Sequence, residues 1–108
     1  MAGAPKLYII ARADLTPAQQ AVQGMHALQE FNRLHSETVR EWYETSNHLC
    51  FLSVPSEGAL ESLLASTQAR GLAVVAFREP DLEDSLTAIA IEPSAKRLLS
   101  GLPLALKV

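Results

Sequence analysis

The sequence predicts an α/β fold, a mixed four-stranded sheet with helices on both faces, and three observations predict it. Short, nearly continuous apolar runs recur along the chain, as in strands buried inside a sheet. Longer segments with apolar residues at helical spacing separate the first three of these runs, the order that gives parallel crossovers and a sheet covered on both sides. Only a short polar stretch separates the last two runs, so that pair reverses direction and the sheet is mixed. The 108 residues are 48% hydrophobic in type and 19% charged. That balance belongs to a globular domain with a core of its own, expected as one unit over residues 1–108.

Each element has a local reason. Residues 6–12 read as the first strand, because Leu7, Tyr8, Ile9, Ile10 and Ala11 form an unbroken apolar run. Thr16 suits an N-cap, Pro17 the first helical position, and Gln19 stands where a capping box places its reciprocal acceptor, so a helix is expected from Pro17 to about His35. A further helical piece over 38–45 carries Trp42 and breaks at Ser46 and Asn47. The run from His48 to Val54 is the second strand. Pro55 and Ser56 end it and open a helix over 57–70, with Leu60, Leu63, Leu64 and Thr67 at helical spacing and Gly71 as its stop. Residues 72–77 are the third strand and 86–91 the fourth. A short helix over 94–100 and an extended tail over 104–107 complete the expectation.

Composition narrows the function classes. The single Cys50 excludes an intramolecular disulfide and a cysteine-based zinc cage. A formal charge of −3 argues against a surface gripping long stretches of phosphate backbone, while leaving room for a local basic patch. The N-terminal stretch lacks the apolar region and cleavage site of a signal peptide, and no apolar run reaches the roughly 20 residues of a membrane span. A cytoplasmic protein with no membrane association is expected.

The first helix carries the most information. Projected at 100° per residue, Ala18, Ala21, Val22, Met25 and Leu28 form one apolar face, and Ala27, Phe31 and Leu34 a second. Between them lies a stripe of Gln19, Gln23, His26, Glu30 and Arg33. Such a stripe is either a solvated edge with i,i+3 and i,i+4 pairs, or the wall of a cleft at a helix start, where α/β folds commonly bind ligands. Histidine is a common general acid or base, which makes His26 a candidate for that role. His35 and His48 show no ligand spacing with it, so no metal is expected, and Cys50 reads as core. Before the fourth strand, Glu79, Asp81, Glu83 and Asp84 lie close together, with Ser85 and Thr87 just beyond. This is a solvated acidic turn or a carboxylate and hydroxyl able to activate water toward an ester. No nucleophile elbow, Walker loop, dinucleotide fingerprint or Cys-x-x-Cys accompanies it.

Taken together these residues resemble the type 2 peptidyl-tRNA hydrolases. The similarity runs through Arg12, Asp14 and Leu15 after the first strand, Gln23, His26 and Ala27 in the helix, and Trp42. It continues through Val54-Pro55, Leu60, Leu63-Leu64 and Gly71-Leu72, then a loop with Asp81 and a closing strand with Thr87 that ends at Glu92-Pro93. The resemblance implies hydrolysis of the ester joining a peptide to the 3′ end of tRNA, without metal or cofactor. The partner would be the tRNA acceptor end, and a homodimer is plausible by the same analogy. It further implies Asp81, Thr87, His26 and Gln19 as catalytic positions, with Ser85 as the alternative hydroxyl, and Gln23, Arg12 and Asp14 on the substrate. One departure stands out: the family opens this helix with a lysine-rich segment, and its required lysine falls on Gln19, in a stretch without any cation. Two further functions therefore stand beside hydrolysis of peptidyl-tRNA: a non-catalytic binding or assembly module of the same fold, and a hydrolase of small acyl esters.

Overall fold

The computed structural model describes residues 3–107. The chain runs through β1 (Lys6–Arg12), α1 (Pro17–Leu34), α2 (Ser36–Thr45), β2 (His48–Val54), α3 (Glu57–Ala69), β3 (Val74–Glu79) and β4 (Ser85–Ile91), with 3-10 turns at Pro80–Leu82 and Pro93–Ala95. The four strands form one sheet in the order β2-β1-β4-β3. β1 and β2 are parallel, whereas β4 is antiparallel to both of its neighbours, β1 and β3. The mixed sheet is thus as the sequence predicts. The two central strands are the most continuously apolar: Leu7 to Ala11 and Leu86 to Ile91 are buried throughout. A central strand loses solvent on both faces, so both side-chain sets must be apolar or internally bonded.

Two layers of core flank the sheet. On one face Tyr8, Ile10, Leu52, Leu86, Ile89 and Ile91 pack with Leu60 and Leu64 of α3. On the other, Leu7, Ile9, Ala11, Val75, Ala88 and Ala90 pack with Ala27 and Phe31 of α1 and Trp42 of α2. The alanines keep α1 close to the sheet. A side chain at Gly24 would place its Cβ 3.1 Å from the Phe51 ring and 3.3 Å from Ile9, tighter than ordinary contact, so glycine suits the close approach there. Trp42 anchors α2 by donating its indole N–H to the His48 carbonyl at 2.7 Å.

Several expectations are corrected. β3 begins at Val74 rather than residue 72 and extends to Glu79. Gly71, at φ +70°, ends α3, and the amide of Leu72 bonds back to the Thr67 carbonyl while that of Ala73 donates to the Glu92 carboxylate, so pairing with β4 starts only afterwards. The expected helix over 94–100 is a single 3-10 turn followed by irregular turns. The tail makes one antiparallel bridge, Leu104 to Leu52, on the edge of β2. α1 buries Gln20, Gln23, Gly24, Ala27 and Phe31, while Val22, Met25 and Leu34 remain exposed. Of the two apolar faces read from the sequence, the second is buried through Ala27 and Phe31 with Leu34 exposed, whereas the first is not buried; the sheet receives Ala27 and Phe31 together with glutamines that are internally bonded. Met25 instead borders an open apolar groove of about 270 Å³ over β2, beside Leu28, Leu49 and Phe51.

Candidate functional site

The start of α1 is built by a complete capping box. The Gln19 amide N–H donates to Thr16 Oγ1 at 3.2 Å, and Gln19 Oε1 accepts from the Thr16 N–H at 3.0 Å. The Gln19 side chain is thereby engaged with its own helix terminus, and no side chain there supplies a positive charge.

One turn further on, Gln23 is turned inward and is 4% exposed. Its partner Thr87 reaches it because β4 is irregular. The β3–β4 register steps from Phe77 opposite Ala88 to Arg78 opposite Leu86, so Thr87 faces no residue of β3. This is a β-bulge, which bends a strand locally and re-aims a side chain. Leu86 consequently enters the core beneath α3, and Thr87, fully buried, turns its hydroxyl toward α1. That hydroxyl donates to Gln23 Oε1 at 2.7 Å and lies 3.2 Å from the Phe77 carbonyl. With its carbonyl oxygen so engaged, Gln23 directs Nε2 to Glu79 Oε1 at 3.0 Å. Glu79 Oε2 in turn receives the backbone N–H of Asp81 at 3.4 Å. Among the described residues no buried side-chain nitrogen or oxygen lacks a partner. The result is a directional relay, Thr87 to Gln23 to Glu79, that starts in the core and ends on a half-buried carboxylate at the end of the sheet.

His26, one turn beyond Gln23, lies flat on Phe77. The ring centroids are 4.4 Å apart and the planes 5° from parallel. His26 is exposed and Phe77 half-buried.

Arg12 and Asp14 lie apart from this relay, and Asp81 meets it only through the backbone N–H it donates to Glu79. Arg12 donates to both carboxylate oxygens of Asp14, at 3.0 and 2.8 Å, and to the Leu86 carbonyl at 3.2 Å. The bond from Arg12 holds the Asp14 carboxyl below the usual range, and the same bond raises the Arg12 guanidinium. Arg12, Glu57, Asp81, Glu83 and Ser85 line an open concavity of about 400 Å³. Glu57 there accepts the Leu86 N–H at 3.0 Å.

Of the residues expected from sequence, Gln23, Thr87 and His26 are gathered along one side of α1. Arg12, Asp81 and Ser85 line the neighbouring concavity, Asp14 is paired with Arg12, and Gln19 stays in its cap. Glu79, which the sequence reading placed in the acidic loop without singling it out, is the carboxylate at the end of the relay. Its signal was the alternation Val75, Phe77, Glu79, which carries the strand two residues past the apparent end of the apolar run. Cys50 is free and half-buried. Among the described residues, no group of three or more histidine, cysteine, aspartate or glutamate side chains is placed to hold a metal ion, and no helix is long and apolar enough to cross a membrane.

No curated protein matches the chain in a sequence search. The family model for peptidyl-tRNA hydrolase PTH2, however, matches residues 5–108, nearly the whole length, and its mixed α/β architecture is the one described above. The chain belongs to the peptidyl-tRNA hydrolase PTH2 family.

Proposed function

We propose that the chain hydrolyses the ester joining a peptide to the 3′ end of tRNA, and that Glu79 takes the carboxylate role the sequence led us to expect of Asp81. The observation that carries this reading is the relay from Thr87 through Gln23 to Glu79, which fixes a half-buried carboxylate at the end of the sheet in a member of this family. Thr87 and Gln23 are positioning residues in this scheme. Thr87 is too deeply buried to meet a substrate, and it decides which way the Gln23 amide faces. Glu79 accepts a proton from water as the water oxygen bonds to the ester carbonyl carbon. The tetrahedral intermediate then expels the ribose 3′-oxygen, which takes that proton, leaving a peptide carboxylic acid, ionised at neutral pH, and a free 3′-hydroxyl. The reading uses no metal or cofactor.

Purified peptidyl-tRNA tests it. Glu79→Gln is expected to lower kcat by about 10²-fold or more with little change in KM, whereas Asp81→Asn stays within a few-fold of wild type. The reverse pattern would return the role to Asp81. Gln19→Lys is expected to raise kcat, since an ammonium at the start of α1 stabilises developing negative charge as an amide cannot.

One observation favours a second reading, a binding module without chemistry: the Gln19 side chain is engaged in its helix cap and leaves the family's cationic position without a charge. Absence of turnover by the wild-type protein on peptidyl-tRNA, with binding retained, would establish that reading. Hydrolysis of small acyl esters alone, with no salt-dependent binding of tRNA, would point to a small-ester hydrolase.

A further inference from the structure

We infer that His26, held flat on Phe77, is a stacking platform for the terminal base of an RNA 3′ end, an assignment that rests on the function proposed above. Face-to-face parallelism at 5° and 4.4 Å leaves one face of the imidazole against Phe77 and the other toward solvent. Phe77 is itself packed against the core beneath α1, so the exposed ring is backed by a rigid support. An exposed histidine at a helix edge ordinarily samples several rotamers. Here an aromatic floor holds the ring parallel to it and presents a flat π-surface, the feature that single-stranded nucleic acid binders use to hold a base.

Position agrees with that use. His26 lies three residues after Gln23, about 4.5 Å along the helix axis. Phe77 lies two residues before Glu79, about 7 Å along the strand. The platform therefore stands about one nucleoside away from the carboxylate, the separation required if a base stacks on His26 while the ribose ester lies at Glu79. Charge agrees as well. Glu79, Asp81, Glu83 and Asp84 surround this end of the sheet, and the one arginine of the neighbouring concavity is paired with Asp14. An anionic backbone finds little attraction there, whereas stacking needs none. The platform thus selects a nucleoside terminus by its π-face rather than by its phosphates.

The test uses an unacylated RNA hairpin ending in CCA, with 2-aminopurine as the last base and a second version lacking that base. Wild-type protein is expected to quench the 2-aminopurine emission and to bind the complete hairpin about tenfold or more tightly than the abasic one. His26→Ala and His26→Leu lose the quenching and the preference, the leucine variant keeping Phe77 covered so that folding is preserved. His26→Phe, which stacks but cannot titrate, retains both. If wild type binds the hairpin without quenching or preference, or if His26→Phe behaves as His26→Leu, the platform is refuted while the hydrolase reading stands. If wild type binds no hairpin at all, the hydrolase reading falls and takes the platform with it.

Discussion

Replacing Thr87 by valine preserves the shape of a fully buried side chain and deletes only its hydroxyl, which makes it a sharp probe of the relay. The loss leaves Gln23 Oε1, in a residue 4% exposed, without the donor that sits 2.7 Å away, and removes the contact with the Phe77 carbonyl. An unsatisfied buried acceptor costs about 1–3 kcal/mol. For a domain of this size 1 kcal/mol corresponds to roughly 4 °C, so Thr87→Val should lower Tm by about 4–12 °C. Gln23→Leu removes the other half of the bond. Because each single substitution breaks the same interaction, the double variant should lose less than the sum of the singles, with a coupling of about 1 kcal/mol or more. Urea denaturation of the four proteins at pH 7, with m values held equal, measures this cycle. Additivity within about 0.5 kcal/mol would show that the two side chains do not depend on one another, and would remove the orienting role given to Thr87.

Other expectations follow from individual contacts. Asp14 has its carboxyl pKa lowered by Arg12, so its stabilisation is fully present above the unfolded value near 3.9 and disappears as pH falls through the lowered folded value. With Asp14 side chain 44% exposed the effect is small, below about 1 kcal/mol, and the stability gap between wild type and Asp14→Asn should close as denaturation is followed down from about pH 6 through the acid range. Gly71→Ala should cost about 1 kcal/mol by denaturant titration, since φ there is +70° and open space around it leaves backbone strain as the only cause. Trp42→Phe deletes the indole bond to the His48 carbonyl and part of a ring that is 6% exposed, and should cost about 1–3 kcal/mol in the same assay; an unchanged midpoint would mean that α2 is not anchored through this residue.

The sequence showed the fold where local chemistry and burial agree. β2 coincides with the predicted run from His48 to Val54, because its apolar residues are bounded by Asn47, at positive φ, and by Pro55. The start of α1 was legible for a similar reason: Thr16, Pro17 and Gln19 make a local motif that needs no distant partner. Tertiary pairing decided the rest. β3 is displaced because Ala73 is held by Glu92, nineteen residues away in the chain. Glu79 was read as loop because an edge strand tolerates polar side chains that a pattern search assigns to turns. Gln23 was read as part of a continuous stripe, yet only an internal partner lets a glutamine be buried, and that partner, Thr87, lies 64 residues on. Separating Glu79 from Asp81 required three-dimensional hydrogen bonding, since the two stand in the same acidic stretch.

The irregularity in β4 has a bearing on how structure and chemistry are divided within this chain. Leu86, Ile89 and Ile91 serve one core, Ala88 and Ala90 the other. Strike Thr87 from that series and the strand alternates in perfect phase from Leu86 to Ile91. The hydroxyl is thus carried by a supernumerary residue, one that neither apolar layer counts in its own repeat. Substitution there can alter the orientation of Gln23 without exchanging any side chain between the two layers, so the hydrogen bonding at this end of the sheet is free to vary while the packing that supports it keeps its rhythm.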